Sequence, residues 1–495
     1  MLFARLETQC RQQPQLPALC DTRTTLSYAE LLAAVETTAS SLRSAGIQRL
    51  GLLMDNSPAW VIMDLAALRA GITVIPLPTF FSPAQVAHVI HDAGIDALCT
   101  DMDDDTDWHG FAAAAAPVPQ THLFCTTVTP ERTALPAGTA KVTFTSGTTG
   151  TPKGVCLDTA SMFRVADSVV QATADCQIEK HLCLLPLSLL LENITGVYAP
   201  LLAGATVMLP DSVERGLQGS QQLDSARLLD CLHRYRPDSL VLVPQLLKAL
   251  TVTCQQGQPL PDSLRFAAVG GARVAPALLT AARNCGIPAY EGYGLSECAS
   301  VVTLNTPAAD SVGAVGKPLP HVKLRVADDG EIHVSGPAML GYAGQPACRE
   351  TWHATGDLGF IDADGYLHLT GRRKNVFVTA YGRNVNPEWP ESELTRHAQI
   401  AHAVVFGEAR HYNTAVIVPV VPQVQDKDIA ALVGMANETL PDYARIHNWI
   451  RADAPFTPDN GLLTASGKPR RDQVWAQYRA AIDSLDATSN VQETA

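Results

Sequence analysis

Residues 143–154 read TFTSGTTGTPKG, and an apolar residue, Val142, precedes them. The segment contains three glycines, which let the backbone turn tightly and expose N–H groups. Six hydroxyl side chains and one lysine, Lys153, offer donors and positive charge to phosphate oxygens. The pattern predicts a loop that binds polyphosphate. It differs from the common pattern GxxxxGK[ST], because Pro152 stands where the second glycine belongs and Gly154 where the magnesium-binding hydroxyl belongs.

With this loop the sequence resembles the acyl-adenylate-forming superfamily, which includes acyl-CoA synthetases, peptide-synthetase adenylation domains and beetle luciferases. The resemblance implies that the loop holds the phosphates of ATP and that Lys153 takes part in catalysis. The loop residues expected to bind the nucleotide are Thr145, Ser146, Gly147, Thr148, Thr149 and Gly150.

A second region resembles the adenine site of the same superfamily. Residues 270–272 read GGA after an apolar stretch, and residues 290–297 read YEGYGLSE, similar to the family segment YGxTE. Ser296 replaces the usual threonine and keeps the hydroxyl. Tyr293 offers a ring to stack on adenine, and the Glu297 carboxylate suits a Mg²⁺ ion held between phosphates. The resemblance therefore assigns catalysis and metal binding to Glu297, and nucleotide binding to Gly271, Ala272, Glu291, Gly292, Tyr293, Gly294 and Ser296.

Two further segments follow in the family order. Residues 355–357 read TGD, and Asp357 has the acceptor geometry for the two hydroxyls of a ribose. Residues 371–375 read GRRKN and resemble the hinge motif, in which Arg372 contacts ribose and phosphate and Lys374 is the hinge. The following YGRNVNPE, with its spacing to Arg372, is similar to the long-chain acyl-CoA synthetase branch. Gly382 then corresponds to the tunnel for a pantetheine thiol.

The last motif lies near the chain end. Residues 459–468 read DNGLLTASGK, which resembles ENGLLTPTxK of the long-chain branch. Lys468 falls on the lysine that reaches the carboxylate and the α-phosphate during adenylation. The resemblance covers the chain from about Leu26 to Arg471.

The resemblance implies activation of a carboxylic acid by ATP with Mg²⁺, followed by transfer of the acyl group to coenzyme A or phosphopantetheine. An acyl carrier protein is the alternative acceptor. A catalytically silent nucleotide-binding scaffold on the same fold is the alternative from another class. Retention of Lys153, Glu297, Asp357, Arg372 and Lys468 argues for an enzyme.

The acyl pocket departs from the family pattern. Residues 185–192 read LPLSLLLE and resemble PLxHxxE, but Leu189 stands where a histidine or an aromatic residue often gates the acyl site. The resemblance assigns the pocket to Leu189, Val269, Gly270 and Val302. No aspartate matches the anchor that an α-amino acid substrate needs for its ammonium group, so the sequence favours a fatty or aryl acid. Acyl chain length and pathway stay open.

Composition excludes several classes of function. The chain has 495 residues, 46% of them hydrophobic and 17% charged, with a net charge of −13. The acidic balance disfavours nucleic acid and anionic membrane surfaces as partners. The 12 cysteines are scattered, with no CxxC pair and no spacing typical of a zinc site. Residues 1–15 contain no basic region followed by an apolar stretch and a small-residue cleavage site. We therefore expect a cytoplasmic protein, monomeric or homodimeric, with no integral membrane segment.

Strand-like and helical stretches alternate along the first 370 residues and predict parallel sheets covered by helices. We expect an α/β fold with a large domain over residues 1–372, built from parallel or mixed sheets and a β-rich subdomain. Residues 373–482 are expected to form a small mobile α+β domain carrying Lys468. Residues 483–495 lack periodicity and predict a disordered tail. The apolar run Leu182–Leu191 fits a buried strand or helix, with a membrane-touching patch as the alternative.

Overall fold

A computed structural model describes residues 2–102, 110–127, 133–145, 153–218, 222–464 and 466–493. A π-helical turn spans Asn193–Tyr198. The α-helices in these ranges are Leu2–Gln12, Tyr28–Ser44, Pro58–Ala70, Pro83–Ala93, Thr159–Ala172, Leu190–Glu192, Ala199–Ala203, Ser225–Tyr235, Pro244–Gln255, Pro276–Asn284, Glu388–Thr395, Asp426–Asn437 and Arg471–Glu493.

Nine strands of the described chain form the first large sheet. Its six central strands are parallel, and the pairs at both edges are antiparallel. In spatial order the strands are Lys317–Pro318, Ser300–Leu304, Ala289–Leu295, Phe266–Val269, Ser239–Leu242, Lys180–Leu182, Thr206–Met208, Pro17–Cys20 and Thr25–Ser27.

A second large sheet contains eight strands within the described ranges. Four of them are parallel, and antiparallel strands flank these on both sides. In spatial order the strands are Gly341–Tyr342, Lys153–Leu157, Lys141–Thr145, Thr73–Pro76, Arg49–Leu53, Ala97–Thr100, His122–Thr126 and Phe111–Ala114.

The helix Pro58–Ala70 shows how sequence dictates burial between the elements. Ser57 caps its first turn by accepting a hydrogen bond from the Trp60 N–H, and Pro58 is preorganised for the first helical position. Ten of its side chains, nine of them uncharged and one the aspartate Asp64, are buried, so the helix is covered on all faces. A helix of this type needs covering on every side. It packs in the largest apolar cluster, together with the helices Tyr28–Ser44 and Thr159–Ala172.

A charged pair lies inside this apolar cluster. Lys141 Nζ is 2.7 Å from Asp64 Oδ1 and donates a hydrogen bond to the Tyr198 hydroxyl at 2.8 Å. Both charged side chains are excluded from solvent. Lys141 lies on the second sheet and Asp64 in the helix Pro58–Ala70, so the pair links these two elements. Removing one partner would leave an uncompensated buried charge and destabilise their contact.

The later part of the chain is built from smaller sheets. In the part of the chain that the structure describes, a four-stranded antiparallel sheet contains Lys323–Val326, Glu331–Ser335, His353–Ile361 and Leu367–Arg372. A three-stranded sheet follows, with Ile400–Phe406, Asn413–Pro419 and Ile446–Arg451. Short hairpins pair Leu217–Gln218 with Gln222–Leu223 and Phe377–Val378 with Asn384–Val385. The expected α/β class, with a large sheet domain and a smaller C-terminal part, is confirmed.

The chain end differs from the expected disordered tail over residues 483–495. The helix Arg471–Glu493 runs through most of that segment. Val474, Tyr478 and Ile482 are buried on one face of the helix, and Asp483 pairs with Arg410 beyond them. Packing of this face stabilises a helix that local periodicity alone did not indicate.

The apolar run Leu182–Leu191 is largely internal. Leu182 and Leu184 are fully buried in the cluster under the first sheet. Across the described residues, no helix combines the length and the apolarity needed to cross a bilayer.

Candidate active site

The strands Lys141–Thr145 and Lys153–Leu157 bracket the predicted phosphate loop. They pair antiparallel, with Thr145 opposite Lys153. Residues 146–152 lie outside the described residues, and with them the predicted contacts Ser146, Gly147, Thr148, Thr149 and Gly150. The described strands therefore place the two ends of the loop side by side.

Tyr342 connects two of the predicted catalytic residues. The strand Gly341–Tyr342 pairs with Lys153–Leu157, with Tyr342 opposite Val155. The Tyr342 hydroxyl donates a hydrogen bond to Glu297 Oε1 at 3.0 Å, and Lys153 Nζ lies 5.6 Å from the centre of the Tyr342 ring. Burial raises the pKa of Tyr342, so the phenol stays protonated as a donor. The side chains of Lys153 and Glu297 thus meet around one aromatic ring.

Tyr342 was not among the residues predicted from sequence. Its role depends on pairing with a strand that lies almost 200 residues earlier in the chain, and no local pattern reports that pairing. The local signal is a tyrosine after Gly341, a common combination in strands and turns. A second contact, from the Met339 N–H to the Glu297 carbonyl at 2.7 Å, holds the same segment in place.

The predicted adenine-binding segments lie on adjacent parallel strands. Val269 is opposite Glu291 in the register of Phe266–Val269 and Ala289–Leu295. Gly270, Gly271 and Ala272 follow the first of these strands, and Gly271 and Ala272 are exposed. A Cβ at Gly294 would lie 1.6 Å from the Ser300 carbonyl oxygen, so only glycine fits where the second strand meets its antiparallel neighbour. Exposed backbone therefore lies beyond the carboxyl end of the strand Phe266–Val269.

Glu291 differs in environment from the other predicted nucleotide contacts. Its side chain is buried, and Oε1 accepts a hydrogen bond from the Val274 N–H at 3.4 Å. Burial raises the pKa of Glu291 to about 8. Through this hydrogen bond the carboxyl group contacts the segment that follows Gly271. Gly292 and Ser296 flank Tyr293 and Glu297 and are partly exposed.

Tyr293, Asp357 and Arg372 form one hydrogen-bonded group. The Tyr293 hydroxyl donates to Asp357 Oδ2 at 2.6 Å, and Arg372 Nε donates to Oδ1 at 2.8 Å. Asp357 and Arg372 are opposite each other on antiparallel strands, which explains how residues 15 positions apart meet. Burial, followed by the Asp357 charge, raises the pKa of Tyr293. The structure thus brings together Asp357 and Arg372, both expected at the ribose, with Tyr293, which was expected at the adenine.

Lys468 reaches this group from the C-terminal part of the chain. Its Nζ donates a hydrogen bond to the Gly271 carbonyl at 3.0 Å. Desolvation of the ammonium group, followed by the Arg372 charge, lowers the pKa of Lys468, although the residue as a whole is exposed to solvent. The structure therefore places the predicted catalytic lysine beside the predicted adenine loop.

Lys374 and Gly382 lie beyond the ribose group. Lys374 occupies the turn after the strand Leu367–Arg372, and burial, followed by the Arg372 charge, lowers its pKa. Gly382 has φ +69° and is exposed, and a Cβ there would meet no described atom within 4 Å. The positive φ of Gly382, rather than lack of space for a side chain, thus favours glycine at this position in the observed structure.

Three of the four predicted acyl-pocket residues belong to two apolar clusters. Val269 is buried and Leu189 is partly buried in the cluster beneath the first sheet. Val302 is fully buried in a second cluster, which also contains Tyr293. Gly270 is fixed by its N–H, which donates to the Leu242 carbonyl at 3.0 Å. The structure thus shows three apolar side chains in the core and the Gly270 backbone joined to the neighbouring strand.

The chain matches known families along most of its length. The AMP-binding enzyme family matches residues 6–343, and the C-terminal domain of AMP-binding enzymes matches residues 374–490. A long-chain-fatty-acid–CoA ligase of Mycobacterium bovis is 27% identical, over 93% of this chain and 92% of its own length.

Solved structures agree with this match at the level of fold. The anthranilate CoA ligase AuaEII in complex with anthranoyl-AMP superposes with a TM-score of 0.80 at 19% identity, covering 97% of this chain and 98% of that chain. The o-succinylbenzoate coenzyme A synthetase of Bacillus subtilis, in complex with ATP and magnesium ion, gives 0.73 at 23% identity, covering 95% and 98%. The resemblance inferred from the motifs is confirmed, and the chain belongs to the family of AMP-binding enzymes.

Proposed function

We propose that the chain is an AMP-forming acid–thiol ligase that activates a fatty or aryl acid. In the first half-reaction a carboxylate oxygen attacks the α-phosphorus of ATP. The bond to the bridging oxygen breaks, pyrophosphate leaves and an acyl adenylate forms. In the second half-reaction the sulfur of coenzyme A attacks the acyl carbon, the bond to the phosphate oxygen of AMP breaks, and the thiol proton passes to solvent.

The observation that carries this proposal is the contact of Lys468 Nζ with the Gly271 carbonyl, beside Asp357 and Arg372. The first half-reaction brings an anionic carboxylate to an anionic phosphate, so positive charge at that point lowers the barrier. We assign this positive charge to Lys468 and Lys153. Asp357 accepts hydrogen bonds from the ribose hydroxyls, and exposed backbone after Gly270 faces the base.

The residues fit the magnesium ion expected with ATP. Glu297 is partly exposed, and Tyr342 donates to only one of its two carboxylate oxygens. The other oxygen suits a hard cation, which would take further ligands from phosphate and water. When bound there, Mg²⁺ would neutralise phosphate charge. Tyr342 orients the carboxylate for that task.

The substrate class rests on the apolar character of the pocket. Leu189, Val269 and Val302, which the resemblance assigns to the acyl pocket, are apolar members of buried clusters, and apolar walls suit an alkyl chain or an aromatic ring. The relatives described above include a fatty-acid ligase and two aryl-acid ligases, so both classes stay open. Coenzyme A is the proposed acceptor, and the phosphopantetheine arm of a carrier protein is the alternative.

The proposal is tested by ATP–pyrophosphate exchange over a panel of free acids: short, medium and long fatty acids, benzoates, cinnamates and several amino acids. We expect exchange with a narrow set of fatty or aryl acids, followed by AMP release when coenzyme A is added. Exchange without turnover of coenzyme A, but with turnover of a holo-carrier protein, would identify the alternative acceptor. ATP binding without exchange for any acid would favour the silent scaffold.

Replacing Tyr342 with phenylalanine should weaken activation by magnesium. The variant keeps the ring beside Lys153 and loses only the hydrogen bond to Glu297, a bond to a charged acceptor worth roughly 1.5–3 kcal/mol. We expect about a tenfold rise in the Mg²⁺ concentration needed for half-maximal exchange. Tyr366→Phe, which removes a phenol elsewhere on the β-rich subdomain, is the control. An unchanged Mg²⁺ dependence would remove Tyr342 from the site.

We propose a boundary between residues 372 and 373, with the C-terminal part rotating between the half-reactions. One interdomain contact favours the orientation observed. Lys248, in the helix Pro244–Gln255, donates to the Thr395 carbonyl at 2.7 Å and to the Ile400 carbonyl at 2.8 Å. Thr395 ends the helix Glu388–Thr395, where carbonyl groups attract a cation. Burial lowers the pKa of Lys248 to about 8.

Replacing Lys248 with methionine should therefore bias the chain away from the adenylating orientation. We expect exchange to slow about tenfold, while thioester formation from supplied acyl adenylate is retained or faster. Lys323→Met, at an exposed strand position, controls for loss of a lysine. Equal slowing of both half-reactions would indicate damage to the fold instead.

A further inference from the structure

His181, Cys183 and Glu192 meet in the interior of the large domain. His181 lies on the strand Lys180–Leu182, Cys183 follows it directly, and Glu192 ends the short helix before the π-helical turn Asn193–Tyr198. Their exposed fractions are 4%, 0% and 0%. The imidazole nitrogen, the thiol sulfur and the carboxylate oxygen all lie within 4.8 Å of one another. These three donors form what we term the His–Cys–Glu cluster.

Several atoms in this cluster have no hydrogen-bond partner among the described residues. They are both carboxylate oxygens of Glu192 and His181 Nε2. The distance from Nε2 to Glu192 Oε1 is 3.6 Å, which is too long for a hydrogen bond. Burying polar atoms without partners is costly, and burying a carboxylate in this way costs more than burying a neutral group. A bound ion that these oxygens and His181 Nε2 coordinate would remove that cost.

The second ring nitrogen of His181 is already held. Nδ1 lies 2.8 Å from Ser239 Oγ on the neighbouring parallel strand. When Nδ1 carries the proton and donates to Ser239, Nε2 presents its lone pair to the cluster. Metal-binding histidines are oriented by such a partner on the other nitrogen. Ser239 thus fixes the ring in a ligating orientation.

Gly196 preserves the space between the donors. A Cβ at this position would lie 2.8 Å from Glu192 Oε1, 3.0 Å from His181 Nε2 and 3.1 Å from Cys183 Sγ. Gly196 belongs to the π-helical turn, and such turns occur often at functional sites. Any larger residue would fill the volume that an ion needs.

We propose that His181 Nε2, Cys183 Sγ and Glu192 bind one transition-metal ion of the zinc class. Nitrogen, thiolate and carboxylate donors together match Zn²⁺ better than Mg²⁺. In a tetrahedral zinc site, bonds of about 2.0–2.3 Å separate the ligand atoms by roughly 3.3–3.8 Å, close to the 3.6 Å between Nε2 and Oε1. The thiolate and the carboxylate together neutralise the ion, so the buried site carries no net charge.

The ion would have a structural task distinct from magnesium binding at Glu297. It fastens the strand Lys180–Leu182 to the π-helical turn. Leu189 precedes that turn by four residues, so the ion would stiffen the wall of the proposed acyl pocket. On binding, the Cys183 thiol loses its proton and with it the contact to the Gly196 carbonyl, 3.4 Å away. Sequence spacing gave no hint of the site, because its donors come from a strand and a helix end.

Metal content of the full-length protein tests the proposal. The protein is produced with added Zn²⁺, passed over a chelating resin and analysed by mass spectrometry for metals. We expect about one zinc ion per chain in the wild type and in Cys231→Ser, which changes another buried thiol, and less than about a tenth of that in Cys183→Ser. Zinc below a tenth per chain in the wild type would overturn the proposal, as would equal zinc in the wild type and folded Cys183→Ser.

Cobalt gives a readout that does not depend on the folding of the Cys183 variant. Wild-type protein produced with Co²⁺ should show the near-ultraviolet charge-transfer band of a thiolate ligand and the visible bands of a tetrahedral ion. Glu192→Gln should shift the visible bands and keep the thiolate band. Bound cobalt without a thiolate band would overturn the assignment, because the ion would then lie elsewhere.

Discussion

Replacing Lys468 with alanine should slow adenylate formation about 100-fold or more, a loss of roughly 3 kcal/mol of transition-state stabilisation. Lys468 Nζ donates to the Gly271 carbonyl, next to the loop where we propose that ATP binds. We expect its charge to contact the carboxylate and the α-phosphate mainly in the first transition state. Thioester formation from supplied acyl adenylate should therefore suffer far less.

The measurement compares the two half-reactions in one preparation. Pyrophosphate exchange reports the first, and release of AMP from supplied acyl adenylate and coenzyme A reports the second. Lys427→Ala, an exposed lysine of the same C-terminal part, should leave both unchanged. Equal damage to both half-reactions in Lys468→Ala would show that the lysine supports the fold or the nucleotide, not the adenylation step.

The sheets of the large domain were predictable because their strands are short, apolar and separated by helical periods. The strand Arg49–Leu53 and the helix Pro58–Ala70 are examples of this alternation in the observed fold. Hydrophobic periodicity fixes the existence of such elements, whereas caps such as Ser57 fix their ends. Local sequence carries both kinds of information.

Contacts between distant segments were predictable only through the resemblance. Asp357 and Arg372 meet because a hairpin aligns them, and Tyr293 joins them from another sheet. The sequence around Tyr342 and Lys248 does not predict their hydrogen-bond partners, because each contacts residues far away in the chain. The π-helical turn Asn193–Tyr198 was not predicted either, because its backbone conformation depends on packing in the core.

Lys374 tests the rotation itself, because proline at this position fixes φ and restricts the residue before it. Within the described chain the Lys374 N–H donates no backbone hydrogen bond, while the Arg373 N–H donates to Gly356 and the Asn375 N–H donates to Arg372. Lys374→Pro therefore removes no backbone hydrogen bond, but it restricts Arg373 at the preceding turn position. We expect the stiffened backbone to oppose rotation at residue 374, so that Lys468 stays beside Gly271.

Pyrophosphate exchange should stay within about threefold of wild type in Lys374→Pro, while thioester formation falls about 100-fold or more. Lys374→Ala is the matched control, since it removes the charge but leaves the backbone free, and it should retain both half-reactions. Loss of exchange in the proline variant would count against the hinge assignment. Equal loss of thioester formation in both variants would assign the effect to the ammonium group. Loss of thioester formation in the proline variant alone would mean that the second half-reaction needs backbone rotation at Lys374. The two variants would then stop different steps, because Lys468→Ala slows adenylate formation and Lys374→Pro slows thioester formation.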